Sequence, residues 1–409
     1  MTRELAIEGG SPVRRRLLPY SRQSVDESDT RALVEALGSD WLTTGPRVAE
    51  FERAFAAFTG AAEAVAVSSG TAALHAAMHA IGVGPGDEVI VPALTFAASA
   101  NCVVYQGATP VFADVEADTL LIDPEDAAAR MTSRTRAIVA VDYAGQPCDY
   151  RRLRALAERC GIALVADACH SLGGACDGAA VGTLADLNCF SLHPVKAMTT
   201  GEGGMITTAS AEAAVRMRRF RNHGIAGDHF QRDRQRTFRY EMVEIGYNYR
   251  LSDLQCALGI SQLGRLADWV ERRRAIARRY DFAFAALPGV RPLAVRPGAE
   301  HAYHLYVIRL EPEWLGADRE RIFAALRAEG IGVNVHYLPV YLHPFYRRRF
   351  GTGPGLCPRA EAAYETILSL PIFPAMSDQD VADVVEAVWK VATSYGKTGQ
   401  RVADFGAAR

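Results

Sequence analysis

The chain has 409 residues, of which 49% are apolar, and 45 basic against 47 acidic residues give it a net charge of −2. This length and composition allow a large domain with a smaller one attached. The balanced charge excludes the basic excess that is typical of nucleic-acid binding.

The beginning of the chain, MTRELAIEGGSPVRRRLLPY, lacks the apolar core of a signal peptide. No uncharged apolar stretch of about 18 residues is present, so we expect no membrane span. The eight cysteines are scattered, with no C-x-x-C pair and no zinc-type Cys/His spacing, so no metal site is predicted. We therefore expect free thiols in a cytoplasmic protein that binds neither membranes nor nucleic acid.

From about residue 63 onward, short β-rich runs alternate with helical stretches. AEAVAVSS is strand-like and continues into the alanine-rich, helical GTAALHAAMHAIG. Further strand-like runs are DEVIVPALT, TPVFADV, RAIVAVDYAG and IALVADAC. Strands at this spacing, with helices between them, predict an α/β fold with a mostly parallel sheet that is covered on both faces.

After a long helical region the pattern changes, and HAYHLYVIRL, ADRERIFAALRAEG and GVNVHYL are typical of a strand, a helix and a strand. We predict a large domain over residues 1–270, which includes the N-terminal segment, a small α+β domain over 271–395 and a tail over 396–409. Ligands of open α/β sheets bind at the carboxyl ends of the strands. The residues that follow predicted strands are therefore the candidates for a site.

The first candidate is SSGTAAL, in which Gly70 and Thr71 open a helix directly after a strand. Free N–H groups at a helix N-terminus can bind a phosphate. The alternative is a well-capped helix with Ser69 as its N-cap, and this stretch alone favours the cap. Neither G-x-x-x-x-G-K-[ST] nor G-x-G-x-x-G occurs, so a nucleotide loop of either usual kind is not predicted.

Two further strand ends carry Phe96, in PALTFAASAN, and Asp167 with His170, in LVADACHS. Phe96 can stack on a flat ring, although a place in the core is the commoner fate of a phenylalanine. A carboxylate at the end of an apolar strand needs a partner, which can be a protonated pyridine nitrogen or nearby backbone N–H groups. His170 can contact a cofactor oxygen or simply pack.

Lys196 lies in CFSLHPVKAMTTGEGG, between a strand-like run that ends at Ser191 and a glycine-rich stretch. Gly201, Gly203 and Gly204 would let the chain turn back closely. A lysine that is partly dehydrated and near a cationic ring has a lowered pKa and becomes nucleophilic. The alternative is an ordinary loop lysine in solvent.

Each of these signals is weak alone, but together they form a set at successive strand ends. The set comprises a phosphate cradle, an aromatic ring for stacking, a carboxylate for a pyridine nitrogen, and a lysine. It describes a site for pyridoxal 5′-phosphate (PLP), in which the lysine holds the cofactor aldehyde as a Schiff base.

The sequence resembles the DegT/DnrJ/EryC1/StrS family of sugar-nucleotide aminotransferases, which have the PLP-dependent aspartate aminotransferase fold (type I). The resemblance extends from WLTTGPRVAEFE to LSLPIFP, and its motifs are SSGTAAL, VIVPALTFAASAN, ATPVFADV, ADACHSLG, FSLHPVKAMTTGEGGMI, RNHGI and GYNYRLSDLQCALG. Cys169 stands where the family usually has alanine or serine, and as a small residue it should be tolerated.

The resemblance implies a role for each matching residue. Lys196 would form the Schiff base and carry protons, Asp167 would pair with the pyridine nitrogen, and His170 would lie near the ring hydroxyl. The other implied contacts are Phe96 on the ring face; Gly70, Thr71 and Ser191 at the phosphate; Asn248 at the phosphate of the neighbouring subunit, in a homodimer with shared active sites; and Arg250 and His336 near the sugar nucleotide. Helix capping and surface pairing are the alternatives for Asn248 and Arg250.

Some members of the family are dehydratases with histidine in place of the Schiff-base lysine, so Lys196 favours transamination. The segments VDYAGQP, FSLHPVKAMTTGEGG and VHYLPVYLHPFYRRRF most resemble the PseC branch, which aminates C4 of a UDP-4-keto-6-deoxy-N-acetyl-hexosamine on the route to pseudaminic acid. We thus expect L-glutamate as amino donor and a nucleotide keto-sugar as acceptor. The perosamine, desosamine and aminocyclitol branches share most of these motifs and stay open.

Three points are left as alternatives. The polar segment 227–244 is interpreted as a solvated loop, although one of its arginines would suit a nucleotide diphosphate. A PLP-fold sensor without turnover would usually add a DNA-binding module, and the first 60 or so residues contain no basic recognition helix. Another PLP enzyme, such as a decarboxylase or a desulfurase, is the third possibility.

Overall fold

The computed structural model describes residues 4–227, 232, 234 and 236–397. Within these residues the α-helices are α1 (Glu27–Leu37), α2 (Pro46–Thr59), α3 (Gly70–Ala80), α4 (Ala98–Tyr105), α5 (Pro124–Ala129), α6 (Tyr150–Cys160), α7 (Ala211–Phe220), α8 (Asp253–Leu263), α9 (Leu266–Phe284), α10 (Arg319–Ala328), α11 (Pro344–Phe350), α12 (Pro358–Thr366) and α13 (Asp378–Tyr395). The strands are β1 (Glu63–Val67), β2 (Glu88–Pro92), β3 (Thr109–Ala113), β4 (Thr135–Val141), β5 (Ala163–Asp167), β6 (Ala175–Cys176), β7 (Ala179–Ala180), β8 (Leu187–Ser191), β9 (Gly204–Thr208), β10 (Ile225–Ala226), β11 (Glu241–Met242), β12 (Val290–Pro292), β13 (Ala299–Glu300), β14 (Tyr306–Leu310) and β15 (Ile367–Leu370).

Seven strands form the central sheet, in the order β1-β9-β8-β5-β4-β2-β3. Strands β3, β2, β4, β5 and β8 are parallel to one another. Strand β9 is antiparallel to both of its neighbours, β1 and β8, so β1 points the same way as the other five. The predicted α/β fold with a mostly parallel sheet is confirmed, with one reversed strand inside it.

The central strands are buried on both faces, as their continuous apolar runs predict. Val89, Ile90 and Val91 of β2 are fully buried, and each such side chain contributes roughly 1.5–3 kcal/mol to folding. Helix α3 packs against β8 and β9, and nine of its eleven residues are buried. Because its alanines have short side chains, the helix packs closely against the sheet. Its first residue therefore lies near the strand ends that carry the predicted site residues.

A second apolar cluster joins the three-stranded antiparallel sheet β12-β14-β15 to α9, α10 and α13, and Leu5 and Leu18 of the N-terminal segment pack into it. Helix α9 runs without interruption through residue 270, so the predicted boundary there falls inside a helix, and the division into domains stays a prediction. In the part of the chain that the structure describes, no helix is long and apolar enough to cross a membrane. All eight cysteines are free thiols, as predicted.

Candidate active site

The ends of β5 and β8 meet the beginning of α3. Asp167, the last residue of β5, is paired in register with Cys189 of β8, and Ser191 ends that neighbouring strand. A Cβ atom on Gly70 would lie 2.8 Å from the Cβ of Ser191 and 3.2 Å from the Sγ of Cys169. Gly70 and Ser191, predicted to share one phosphate, are therefore in contact across the strand ends.

The N-terminus of α3 is capped and still presents free N–H groups. The Ser69 hydroxyl accepts a hydrogen bond from the N–H of Ala72 at 3.0 Å, so the capping interpretation is confirmed. A cap satisfies only part of the first turn, which leaves the Gly70 and Thr71 N–H groups for a ligand. The close approach that Gly70 permits, beside the hydroxyl of Ser191, fits a phosphate group.

Asp167 is 6% exposed and is held by two uncharged donors. Its Oδ2 accepts from the Ser99 hydroxyl at 2.6 Å, and its Oδ1 accepts from the Cys169 N–H at 3.2 Å. Ser99 in turn is 2.7 Å from the hydroxyl of Thr95. Because neither donor is charged, the carboxylate keeps the ability to pair with a cation such as a protonated pyridine nitrogen.

Lys196 lies in the loop between β8 and β9. The loop is closed by hydrogen bonds from the Thr200 N–H and the Thr199 hydroxyl to the Leu192 carbonyl, each at 3.0 Å. Gly201 has a φ of +81°, which confirms that the chain needs a glycine where it turns back. Burial lowers the pKa of Lys196, while the neighbouring Cys169 and Asp167 act in the opposite direction.

Phe96 is 59% exposed, so the interpretation of this residue as a core phenylalanine is wrong. Its ring centroid is 6.0 Å from that of Tyr337. A large apolar ring that follows a strand end and faces outward is free to cover the face of a flat cofactor. Its place in the structure therefore fits the predicted stacking role, which stays a prediction.

His170 is buried, and its Nε2 is 3.3 Å from the hydroxyl of Tyr337. Its ring centroid is 4.3 Å from that of His304. Burial first, and then the charge of Lys196, hold the pKa of His170 well below its usual range. His170 is therefore neutral, and as an imidazole it can both donate and accept a hydrogen bond.

His336 lies on the same side of the site. It is buried, its Nδ1 is 2.8 Å from the Ser369 hydroxyl, and its ring centroid is 5.4 Å from that of Tyr20. Burial, with a smaller effect from Lys196, lowers the pKa of His336 to about 4. The next residue, Tyr337, reaches His170, and the contact of His336 with a sugar nucleotide stays a prediction.

Asn248 and Arg250 bond to residues other than those around Lys196. Arg250 donates to Oδ1 of Asn222 at 2.8 Å, and the backbone of Asn248 forms a bridge with that same asparagine. Arg250 also lines a cleft of about 1090 Å³. Within one chain the structure thus does not bring these two residues to the lysine.

The predicted insert 227–244 falls partly outside the described residues, since 228–231, 233 and 235 are not described. In the remainder, β11 pairs with β10, which lies just before the segment, and the guanidinium carbon of Arg232 lies 5.6 Å from the Tyr240 ring centroid. A contact between one of its arginines and a nucleotide stays a prediction.

Three residues of the site were missed in the sequence. Ser99 bonds to Asp167 across 68 positions of the chain, and Tyr337 reaches His170 across 167. His304 is the third, through its ring contact with His170. The only signals were polar or aromatic residues inside motifs already noted, Ser99 in PALTFAASAN and Tyr337 in VHYLP.

Comparison with known proteins shows which family this chain resembles over most of its length. The DegT/DnrJ/EryC1/StrS aminotransferase family matches residues 23–389. The spore coat polysaccharide biosynthesis protein SpsC of Bacillus subtilis is 42% identical over 377 residues, which cover 92% of this chain and 97% of that protein. Helicobacter pylori PseC, an aminotransferase involved in pseudaminic acid biosynthesis, is 32% identical, with a TM-score of 0.87 over 93% of this chain and 100% of that one. The PLP form of Streptococcus pneumoniae Spr1654 is 33% identical, with a TM-score of 0.86 over 93% and 99%.

The fold and these matches define a PLP-dependent transaminase of the type I fold that acts on sugar substrates. More particularly, the chain belongs to the DegT/DnrJ/EryC1/StrS aminotransferase family. Cofactor and enzyme class, both predicted from the sequence, are thereby confirmed.

Proposed function

We propose that this sugar aminotransferase transfers the amino group of L-glutamate to C4 of a UDP-4-keto-6-deoxy-N-acetyl-hexosamine, as in pseudaminic acid biosynthesis. The observation that carries the chemistry is Lys196, a half-buried lysine near the strand ends, whose pKa is lowered by burial while the neighbouring Cys169 and Asp167 act in the opposite direction. The choice of sugar is supported by the similarity to Helicobacter pylori PseC over 93% of the chain.

The use of lysine in this chain supports the role of Lys196. Only three of its 45 basic residues are lysines, at positions 196, 390 and 397. Lys390 forms a buried ion pair with Glu329 at 2.8 Å, and Lys397 is exposed. An arginine cannot lose its proton in the physiological range, whereas a lysine can. The basic residues of this chain are thus nearly all arginines, and position 196 carries the amine that nucleophilic and proton-transfer chemistry needs.

We assign proton transfer and cofactor binding to different residues of the site. PLP, when bound, accepts electrons from the substrate carbon that loses its proton. The Lys196 Nζ takes that proton from the α-carbon of L-glutamate, and an Asp167 carboxylate oxygen holds the proton on the ring nitrogen. The Gly70 and Thr71 N–H groups and the Ser191 hydroxyl bind the phosphate. Water supplies the new carbonyl oxygen, 2-oxoglutarate leaves, and the amino group would stay with the cofactor. The same groups then act in reverse on the keto-sugar, which receives the amino group as its carbonyl oxygen leaves as water.

We also propose that two chains form a homodimer in which Asn248 completes the partner's site. Asn248 is exposed and bonds to none of the residues around Lys196 in its own chain. The segment just before it carries apolar side chains that are 62–88% exposed, namely Phe238, Tyr240, Met242 and Ile245. An apolar surface of this kind is typical of a contact between proteins.

Subunit complementation tests the shared site. Asn248→Ala and Lys196→Ala are expected to be inactive separately. After mixing and subunit exchange, each heterodimer has one intact site, so roughly a quarter of wild-type activity should return. If heterodimers form and no activity returns, Asn248 does not serve the partner's site.

A second candidate sugar follows from the relative with the higher identity. SpsC, at 42% identity, is named for spore coat polysaccharide biosynthesis. The acceptor would then be another nucleotide keto-sugar of a surface polysaccharide. Assay of a panel of UDP- and dTDP-linked 4-keto-6-deoxy sugars, with and without a 2-N-acetyl group, separates the two. Preference for a sugar without the acetamido group would contradict the first proposal.

The experiment that tests the chemistry is the half-reaction with the amino donor alone. PLP-loaded protein is mixed with excess L-glutamate, and the cofactor absorbance and the release of 2-oxoglutarate are recorded. Wild type and the matched control Lys397→Ala should react, and Lys196→Ala should not. Borohydride reduction should attach the cofactor to the peptide that contains position 196. An unchanged absorbance in the wild type would exclude L-glutamate as the amino donor. Turnover by Lys196→Ala would contradict the proposed catalytic role of Lys196.

A further inference from the structure

Two buried hydroxyl groups connect Asp167 to the beginning of helix α4. The Ser99 hydroxyl donates to Oδ2 of Asp167 at 2.6 Å, and the Thr95 hydroxyl oxygen is 2.7 Å from that of Ser99. Ser99 is 0% exposed and Thr95 is 2% exposed. The three side chains therefore form a short chain of hydrogen bonds, closed to solvent, that ends on the carboxylate predicted to pair with the ring nitrogen of PLP.

The chemistry of the three groups fixes the direction of this chain. An ionised carboxylate only accepts hydrogen bonds, and a hydroxyl has a single proton to donate. Because Ser99 donates its proton to Asp167, the bond between the two hydroxyls must carry the proton of Thr95. The bond to the carboxylate is charge-assisted, and a hydroxyl that accepts a hydrogen bond becomes a stronger donor. Thr95 thus strengthens the bond that Ser99 makes.

Both oxygens of Asp167 are held. Ser99 bonds to Oδ2, and the Cys169 N–H donates to Oδ1 at 3.2 Å. Hydrogen bonds at both oxygens resist rotation of the carboxylate about its Cβ–Cγ bond. Each carboxylate oxygen has two lone pairs, so a further partner can still bind. The two donors therefore fix the plane of the carboxylate and leave it able to accept from a ring nitrogen.

The backbone around the two hydroxyls is held by other parts of the chain. The Ala93 N–H donates to the Ala113 carbonyl at 2.8 Å, and the Ala93 carbonyl accepts from the Val340 N–H at 2.9 Å. Ser99 is the second residue of α4, and its carbonyl accepts from the buried thiol of Cys102 at 3.2 Å. A supported backbone of this kind is what a residue that orients a second residue requires.

We propose that Ser99, itself held by Thr95, is a positioning residue that fixes the carboxylate of Asp167 in the orientation in which it meets the ring nitrogen of PLP. A buried carboxylate that loses such a donor is freer to turn and harder to keep ionised. The two hydroxyls therefore strengthen the pairing with the ring nitrogen without touching the cofactor. This inference rests on the role proposed for Asp167.

The test measures what the ring nitrogen contributes to cofactor binding. Cofactor-free protein is titrated with PLP and with an analogue in which a C–H group replaces the ring nitrogen. The ratio of the two affinities reports the pairing with Asp167, because a general loss of packing weakens both ligands alike. In Ser99→Ala the preference for PLP over the analogue should fall about 5- to 10-fold.

Two substitutions of Thr95 form a matched pair. Thr95→Val keeps the shape but removes the hydroxyl, so the preference for PLP should fall about twofold. Thr95→Ser keeps the hydroxyl and should stay near wild type. In the Ser99→Ala background, Thr95→Val should change the preference no further, because Thr95 acts through Ser99.

An unchanged or increased preference for PLP in a Ser99→Ala variant that melts like wild type would overturn the proposal. Equal effects of Thr95→Val with and without Ser99 would do the same. If Ser99→Ala does not fold, the two Thr95 variants give the deciding comparison, and a preference unchanged in both of them counts against the proposal.

Asp167→Asn separates a failure of this inference from a failure of the proposed function. It should bind PLP and the analogue with nearly equal affinity. If it keeps the wild-type preference, the pairing of Asp167 with the ring nitrogen is wrong and the inference is wrong with it. If Asp167→Asn loses the preference and Ser99→Ala keeps it, only the role of Ser99 is wrong.

Discussion

At the scale of single residues, Asp167 carries the sharpest prediction because its two donors hold the carboxylate without neutralising it. Asp167→Asn keeps the shape and the capacity to accept from Ser99, but it cannot stabilise a protonated ring nitrogen. We expect cofactor binding to persist and the rate of the L-glutamate half-reaction to fall about 10²–10⁴-fold. Stopped-flow absorbance measures that rate, and a rate near wild type would exclude the pairing of Asp167 with the ring nitrogen.

Ser99→Ala is the matched control for that experiment. It removes the 2.6 Å hydrogen bond to Asp167 but leaves the negative charge in place. We therefore expect a smaller loss of rate than in Asp167→Asn. An equal loss in both variants would mean that the orientation of Asp167, and not its charge, limits the reaction.

The residues that could be predicted are those whose local sequence fixes their place. Asp167 and Ser191 end strands and Gly70 begins a helix, so a strand–helix pattern is sufficient to bring them to one edge of the sheet. His304 and Tyr337 come from distant segments, and their contacts with His170 depend on how those segments pack. The exposure of Phe96 was also undetermined, since a phenylalanine after a strand can stack on a ligand although it is more often part of the core.

At the scale of elements, helix α3 depends on glycine at its first position. Gly70→Ala would place a Cβ 2.8 Å from the Cβ of Ser191, and these rigid atoms must move apart. Because both residues belong to the proposed phosphate site, we expect PLP affinity to fall about 5- to 150-fold, from an overpacking cost of about 1–3 kcal/mol. Titration of cofactor-free protein with PLP gives the affinity.

The control for this substitution is Gly84→Ala, where an added Cβ meets no atom within 4 Å. It should bind PLP like the wild type. If Gly70→Ala also binds PLP normally, the beginning of α3 is not the phosphate site.

The order of the elements was predictable, but the direction of β9 was not. Buried parallel and antiparallel strands have similar apolar runs, and the sequence GGMI gives no direction. The reversal follows from the loop that carries Lys196, whose Thr199 and Thr200 fold back onto Leu192. The glycines noted around residue 201 were the local signal for that return.

At the scale of the whole molecule, stability should fall in mild acid because five histidines are buried in neutral form. The pKa of His75 and of His336 is lowered to about 4, that of His301 to about 3, and those of His170 and His304 lie well below the usual range, in each case mainly through burial. The unfolded chain therefore binds more protons than the folded one between about pH 4 and 6.5. Stability is complete above that window and is lost as the pH falls through it.

Among the described residues, two carboxyls act in the opposite direction. Burial raises the pKa of Asp142 to about 6 and also raises the pKa of Asp281, so the folded state retains protons there that the unfolded chain releases, and for Asp142 this contribution grows as the pH falls from 6. Two carboxyls oppose five histidines, so the histidines dominate. Urea unfolding of the PLP-loaded protein at pH 7.5 and pH 5 should show the net loss.

His75→Asn isolates one part of this effect. The His75 Nδ1 is 3.1 Å from the Tyr249 hydroxyl, and an asparagine amide can keep that hydrogen bond without titrating. A lowering from 6.5 to about 4 corresponds to about 3 kcal/mol of stability over the full window, of which about 2 kcal/mol is lost between pH 7.5 and pH 5. The variant should therefore lose less stability than the wild type between pH 7.5 and 5, whatever its stability at pH 7.5. Identical losses in the two proteins would show that His75 is protonated in the folded state, and the acid sensitivity would then have to come from the histidines around Lys196.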